Sequence, residues 1–174
     1  SEYGELFKAL IEDWRDKWSM DFPFYYVQIA PYFNYYGTNS SLREVQRNTL
    51  KIPKTGMVVT LDIGENYDIH PSNKHVVGHR LANLALDNDY GYLGISSGPL
   101  FKKAEIEKDK IIVTFDYVGS GLSIRQNLRN EFEIASLNKK YFKADIKIIG
   151  ETIVASSYQV QKPQFVRYAW DDTS

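Results

Sequence analysis

The chain has 174 residues, 43% of them hydrophobic and 25% charged, which is the size and mixture of one ordinary globular domain, or two small ones, with a real core. Twenty-one Lys+Arg against twenty-two Asp+Glu leave a formal charge of -1, so neither nucleic acid nor an anionic membrane is expected as the main partner, because both need clustered excess cation. No apolar run reaches the ~18 residues of a membrane span, and the absence of cysteine excludes a disulfide scaffold, a thiolate metal site and a Cys nucleophile together.

Tyr3, Phe7, Leu10, Ile11, Trp14 and Trp18 recur at three- and four-residue spacing, which predicts a first helix with Ser1 placed to cap it. A basic n-region with an apolar h-region is lacking, so these residues do not read as a targeting segment. Phe24 to Ala30, between Pro23 and Pro31, suits a buried strand. Residues 34–41 read as a loop rich in Tyr, Gly, Asn and Ser, and Leu42 to Leu50 as a second helix of weak apolar period. Met57 to Ile63 predicts a second buried strand closed by Gly64, followed by a polar loop and a third helix from about Asn73 to Asp87. In that helix Val77, Leu81, Leu84 and Ala85 form the apolar stripe, with Lys74, Arg80 and Asn83 outside it. Helix, strand, helix, strand, helix is the alternation of a doubly wound α/β layer. Such a layer needs more than two strands, so the remainder is expected in sequence beyond this chain. Both ends accordingly read as places where a longer chain was divided. The helical pattern opens at Ser1, and the chain stops at Trp170-Asp171-Asp172-Thr173-Ser174 directly after an apolar stretch.

Near Tyr90 the helical period disappears. Lys110 to Val118, Phe142 to Ile149, Thr152 to Gln159 and Gln164 to Trp170 read as strands, with a hairpin turn at Gly150-Glu151. The division is therefore 1–92, an α/β part, and 93–174, an antiparallel β module such as a small sandwich. Thirteen Tyr, nine Phe and three Trp make the chain 14% aromatic. Aromatic rings bind sugars, but more commonly they fill cores.

All three histidines fall within ten residues, His70, His75 and His79, between a predicted strand and the start of a helix. In open α/β sheets the ligand crevice lies outside the carboxyl ends of the strands, so Asp68 and His70 stand where an active site would form. Pro71 restricts the backbone of His70. A helix N-terminus disfavours imidazolium and a nearby carboxylate favours it, a balance that suits proton exchange near neutral pH. The same residues also suit a structural reading, with Asp68 and Ser72 as loop and capping groups and His70 as a polar loop residue. Asp62 and Glu65 flank the loop as alternative orienters of His70, and they keep a two-carboxylate glycosidase conceivable. His75 and His79 lie four apart on a helix, but no Glu completes a His-Glu-x-x-His zinc motif. A solvated helix face is the simpler reading, and neither metal nor cofactor is expected.

Val58-Val59-Thr60-Leu61-Asp62-Ile63-Gly64-Glu65, then Asp68-Ile69-His70-Pro71, Asn73-Lys74 and Val77-Gly78-x-Arg80-Leu81-Ala82, resemble the last conserved block of the sialate O-acetylesterase family, which are SGNH-type (GDSL-like) serine esterases. Leu10-Ile11-x-Asp13-Trp14-Arg15 resembles the helix after that family's Gln-Gly-Glu segment, and Arg43-Glu44-x-Gln46 resembles its Arg-Glu-x-Gln motif. Ser97-Gly98-Pro99, Gly119-x-Gly121-Leu122, Phe132-x-Ile134-Ala135 and Val166-Arg167-Tyr168-Ala169-Trp170 resemble its β portion. The resemblance covers nearly the whole chain.

The resemblance implies the C-terminal part of an SGNH-type α/β/α layer followed by the β module. It implies hydrolysis of O-acetyl esters on sugars, typically sialic acid, with acetylxylan esterases as close relatives. In such enzymes a Ser attacks the acetyl carbonyl and a His acts as general base. His70 matches that His and Asp68 matches its orienter, although many SGNH enzymes carry the Asp three residues before the His, where Tyr67 stands. The family's nucleophilic Ser and oxyanion groups lie in blocks upstream of the first helix. Ser72, Ser96, Ser97 and Ser123 all lack a Gly-Asp-Ser-like or Gly-x-Ser-x-Gly setting. The oxyanion donors alone are worth about 3–4 kcal/mol. The expected partners are therefore an O-acetylated sugar and an upstream segment or second chain carrying the Ser. A non-catalytic carbohydrate-binding or structural fragment is the reading from a different class. The resembled family is usually exported in bacteria and lysosomal or secreted in animals. The lack of cysteine leans towards a bacterial source, so a secreted or periplasmic protein is expected.

Overall fold

The computed structural model describes residues 1–37, 39–92, 94–124 and 131–173. The chain is α/β. It forms two compact units, Ser1–Ser96 joined by the last residues from Asp171, and Ser97–Trp170.

The first unit runs α1 (Glu2–Trp18), β1 (Phe24–Val27), α2 (Asn39–Asn48), a 3₁₀ turn at Thr49–Lys51, β2 (Thr55–Val58) and α3 (Lys74–Tyr90). β1 and β2 pair in parallel, Phe24 opposite Thr55 through Val27 opposite Val58. Both strands end earlier than their apolar runs predict. Gln28 N–H still donates to Val58 O at 2.9 Å, but Ile29 N–H donates to the Gln46 side chain at 2.9 Å instead of to a strand. Thr60 Oγ1 then donates to Gln28 O at 2.9 Å, closing the ladder with a side chain.

α1 docks through Ile11, which is fully buried, and through Phe7, whose ring meets Tyr26 at 5.0 Å and Phe24 at 6.0 Å. Trp14 meets Phe24 at 5.9 Å. Leu6, Leu10 and Trp18 on the same helix stay exposed. α2 explains its weak apolar period in another way: the residues it buries are Asn39, Ser40, Arg43 and Gln46. Arg43 O accepts from Gln28 Nε2 at 3.1 Å, and Gln46 O accepts from the Tyr26 hydroxyl at 2.7 Å. The Arg43 guanidinium donates to Asp171 O. Burial lowers its pKa, opposed by Asp172 and Asp171. α3 buries Leu84 against the strands. It begins at Asn73, whose side chain accepts from Val76 N–H at 3.3 Å, and ends at Gly91 in the left-handed region.

The second unit is all antiparallel. A four-stranded sheet runs β3 (Leu100–Glu107), β4 (Lys110–Asp116), β8 (Thr152–Ser156), β7 (Asp145–Ile149), and a three-stranded sheet runs β6 (Tyr141–Lys143), β5 (Phe132–Ala135), β9 (Phe165–Tyr168). The predicted hairpin is present, with Ile149 opposite Thr152 and Gly150 at φ +59°. The single strand expected over 142–149 is two strands. Ala144 is buried and donates its N–H to Phe132 O at 3.0 Å, and there the chain leaves one sheet for the other. Ile111, Val113, Ile153 and Ala155 from one sheet and Phe132 and Ile134 from the other share one buried cluster, the core of a sandwich.

Candidate functional site

The segment linking β2 to α3 leaves the carboxyl end of β2 and carries the predicted Asp68 and His70. It is tied at several points. Ile63 N–H donates to Thr60 O at 3.2 Å and Asp68 N–H to Glu65 O at 3.0 Å, so the segment turns twice. Gly64 runs so close to the loop after β1 that a Cβ there would lie 2.5 Å from Pro31 Cδ, which is why a glycine stands at this point. Two residues on, Phe33 N–H donates to Asn66 O at 2.6 Å. The loops after the two parallel strands therefore run side by side on the edge where α/β sheets place their ligands.

Within the segment, Asp68 Oδ1 accepts the His70 N–H at 2.8 Å and lies 3.4 Å from His70 Nδ1. One carboxylate oxygen thus fixes the backbone of His70 and faces one nitrogen of its ring, leaving Nε2 directed elsewhere. The ring itself is 84% exposed, accessible to a reacting group.

The alternative orienters are engaged elsewhere. Asp62 receives a bidentate pair from Arg80, at 2.8 and 2.6 Å, and Arg80 Nη1 also donates to Val59 O at 2.7 Å. That pairing raises the Arg80 pKa. Glu65 Oε1 accepts from Ser72 N–H at 2.7 Å, and the hydrogen bonds from Ser72 hold its carboxyl below the usual range. Asp62 and Glu65 thus close the start and the end of the loop, and Asp68 is the carboxylate that meets His70. Arg80, read from the sequence as lying outside the apolar stripe, is the residue that anchors the loop to α3. Its place in the Val77-Gly78-x-Arg80 block was the available signal.

His75 is exposed, and His79 Nδ1 lies 3.3 Å from Asn83 Nδ2. Among the described residues no three His, Cys, Asp or Glu side chains gather as a metal site would need. His79 and Asn83, with Tyr92, Gly94, Ile95 and Ser96, line a shallow pocket of about 190 Å³ beside α3. No helix among the described residues is long and apolar enough to cross a membrane.

A second set of contacts was not legible beforehand. Asn39, 1% exposed, donates through Nδ2 to Tyr32 O at 2.8 Å and accepts from Asn34 Nδ2 at 3.2 Å. Its N–H donates to Asp172 Oδ1 at 3.0 Å, and Tyr32 N–H donates to Asp172 O at 3.0 Å. The loop after β1 is thereby fastened to α2 by residues more than a hundred positions later in the chain.

No family model matches the chain, and no curated protein matches it. Among solved structures it is similar to a carbohydrate acetylesterase from Xanthomonas citri, with 36% identity and a TM-score of 0.91 over 99% of this chain. The chain spans 41% of the length of that protein. The helices and antiparallel sheets described above thus match part of a carbohydrate esterase fold.

Proposed function

We propose that this chain forms part of an SGNH-type carbohydrate esterase that removes O-acetyl groups from sugars. The observation that carries the reading is the similarity to a carbohydrate acetylesterase along almost the entire chain. The contact between Asp68 and His70 at the carboxyl edge of the parallel pair supports His70 as the general base. Following the family resemblance, the sugar is sialic acid, and acetylated xylan is the alternative. The reading places the protein outside the bacterial cytoplasm.

In this reading a serine from an upstream segment or a second chain attacks the acetyl carbonyl. His70 Nε2 takes the serine proton while Asp68 faces Nδ1 and orients the ring. The imidazolium returns the proton to the sugar oxygen as the C–O bond breaks, leaving an acetyl-serine. Water, deprotonated by the same nitrogen, then releases acetate and restores the serine. Oxyanion donors belong to the part that supplies the serine.

Treatment of the purified protein with a fluorophosphonate, followed by intact masses of every polypeptide present, tests this reading. A label on a serine of a partner or longer chain is the expected result, with turnover falling by about 10³-fold or more in His70→Ala. Near-normal turnover in that variant would falsify the role of His70. Because the ring is 84% exposed, the substitution leaves the fold intact.

A further inference from the structure

The loop after β1 ends in a tight turn, with Gly37 N–H donating to Asn34 O at 3.0 Å and Tyr36 N–H to Asn34 Oδ1 at 3.2 Å. Its two central residues are Tyr35 and Tyr36, 88% and 82% exposed, their rings 5.7 Å apart and perpendicular. Phe33, just before the turn, and Tyr67, 95% exposed on the neighbouring loop, add two more uncovered rings. Uncovered aromatics are costly in water and are ordinarily found folded inward.

The turn that carries them is held by side-chain hydrogen bonds. Asn39 is almost wholly buried beneath the turn, bonded to Asn34, Tyr32 and Asp172. The rings are therefore held out in advance, and a ligand that stacks on them need not order the loop. The bond from Phe33 N–H to Asn66 O joins this loop to the one bearing Asp68 and His70.

The charge around the rings narrows the ligand. Residues 31–37 carry no charge, and residues 59–74 carry Asp62, Glu65 and Asp68 against one cation, Lys74, which acts on Glu65. Arg80, which reaches this loop, is engaged by Asp62. With Asp62 paired to Arg80, Glu65 and Asp68 still outnumber Lys74, so an anionic sugar would meet net negative charge here, whereas a neutral pyranose would lay its C–H face, which carries partial positive charge, on the electron-rich ring faces.

We infer that Tyr35 and Tyr36, with Phe33 and Tyr67 beside them, form a preorganised platform for a neutral oligosaccharide, holding the glycan whose acetyl group is presented towards His70. The inference rests on the esterase reading for the acetyl group and on the loop chemistry alone for the platform. Of the two sugars named for the esterase reading, it therefore favours the alternative, acetylated xylan, over sialic acid.

Calorimetric titration of the 174-residue chain with an acetylated xylan oligosaccharide, the same oligosaccharide after alkaline deacetylation, and sialyllactose tests it. Both xylan forms are expected to bind, with sialyllactose about tenfold weaker or more. The double variant Tyr35→Ala/Tyr36→Ala is expected to lose roughly tenfold in affinity with an unchanged melting temperature, while His75→Ala, at an exposed position of α3, retains binding. Absence of xylan binding, equal binding of sialyllactose, or full affinity in the tyrosine variant each overturns the platform. The fluorophosphonate result is independent of all three, so platform and esterase reading fail separately.

Discussion

In the β unit, side chains from two facing sheets enclose one another, and Ile111, Ile134 and Ala155 are almost entirely out of water. The α/β unit keeps its shape by different means. Among the described residues its parallel sheet has two strands, α1 buries one residue fully, and α2 turns polar side chains inward where they bond backbone groups of neighbouring segments. Leu6, Leu10, Trp14, Trp18 and Met20 remain in solvent. Parallel strands are usually covered on both faces. The contrast separates a layer pair that satisfies its own burial from a unit that adds directional polar bonds to a small apolar core of Ile11, Tyr26, Met57, Val58 and Leu84. The candidate site sits on the second kind.

The sharpest way to break that comparison is to empty the apolar core. Ile134→Ala should cost about 2–5 kcal/mol, melting the β unit while the helical circular dichroism persists. Loss of both signals in a single transition would refute the separation. Next comes Gly64→Ala, whose Cβ would meet Pro31 Cδ at 2.5 Å and Pro31 O at 2.7 Å. A cost of about 1–3 kcal/mol is expected, and hydrogen exchange should speed up over residues 59–73 with little change in the β unit.

Asp172→Ala removes the acceptor for Asn39 N–H and should cost about 1–2 kcal/mol, confined to the α/β unit. A matching loss in the β unit would contradict that confinement. The smallest effect is expected at high pH. Tyr25, pushed up to about 12 by burial and then by its hydrogen bond to Asp89, holds its proton more tightly folded than unfolded. Its contribution is therefore complete below about pH 10, the unfolded value, and is lost as pH rises towards 12. Tyr25→Phe should flatten that decline, and an unaltered alkaline profile would show that other groups govern it.

Much of the local structure was legible. The alternation of helices and strands in the first half and the hairpin at Gly150 follow from period and turn chemistry, which are properties of neighbouring residues, whereas of the apolar stripe expected on α3 only Leu84 is buried. The contact between Asp68 and His70 is legible for the same reason, since the two stand two apart beside Pro71 and the contact is local. The exposed, weakly apolar β3 was not recognised, because an edge strand with little to bury carries no alternating signal. The break at Ala144 was hidden inside one continuous strand-like run.

What the sequence by itself determined is therefore short-range: which segments coil or extend, where the turns fall, and that a histidine with an acidic neighbour follows the second strand. What only the tertiary structure decided is which carboxylate serves which partner. Asp62 goes to Arg80 eighteen residues on, Glu65 to Ser72, and Asp172 returns from the far end of the chain to Asn39. Hydrogen bonds of that range depend on where the packed helices and strands bring the backbone, and no periodicity in the chain encodes that meeting.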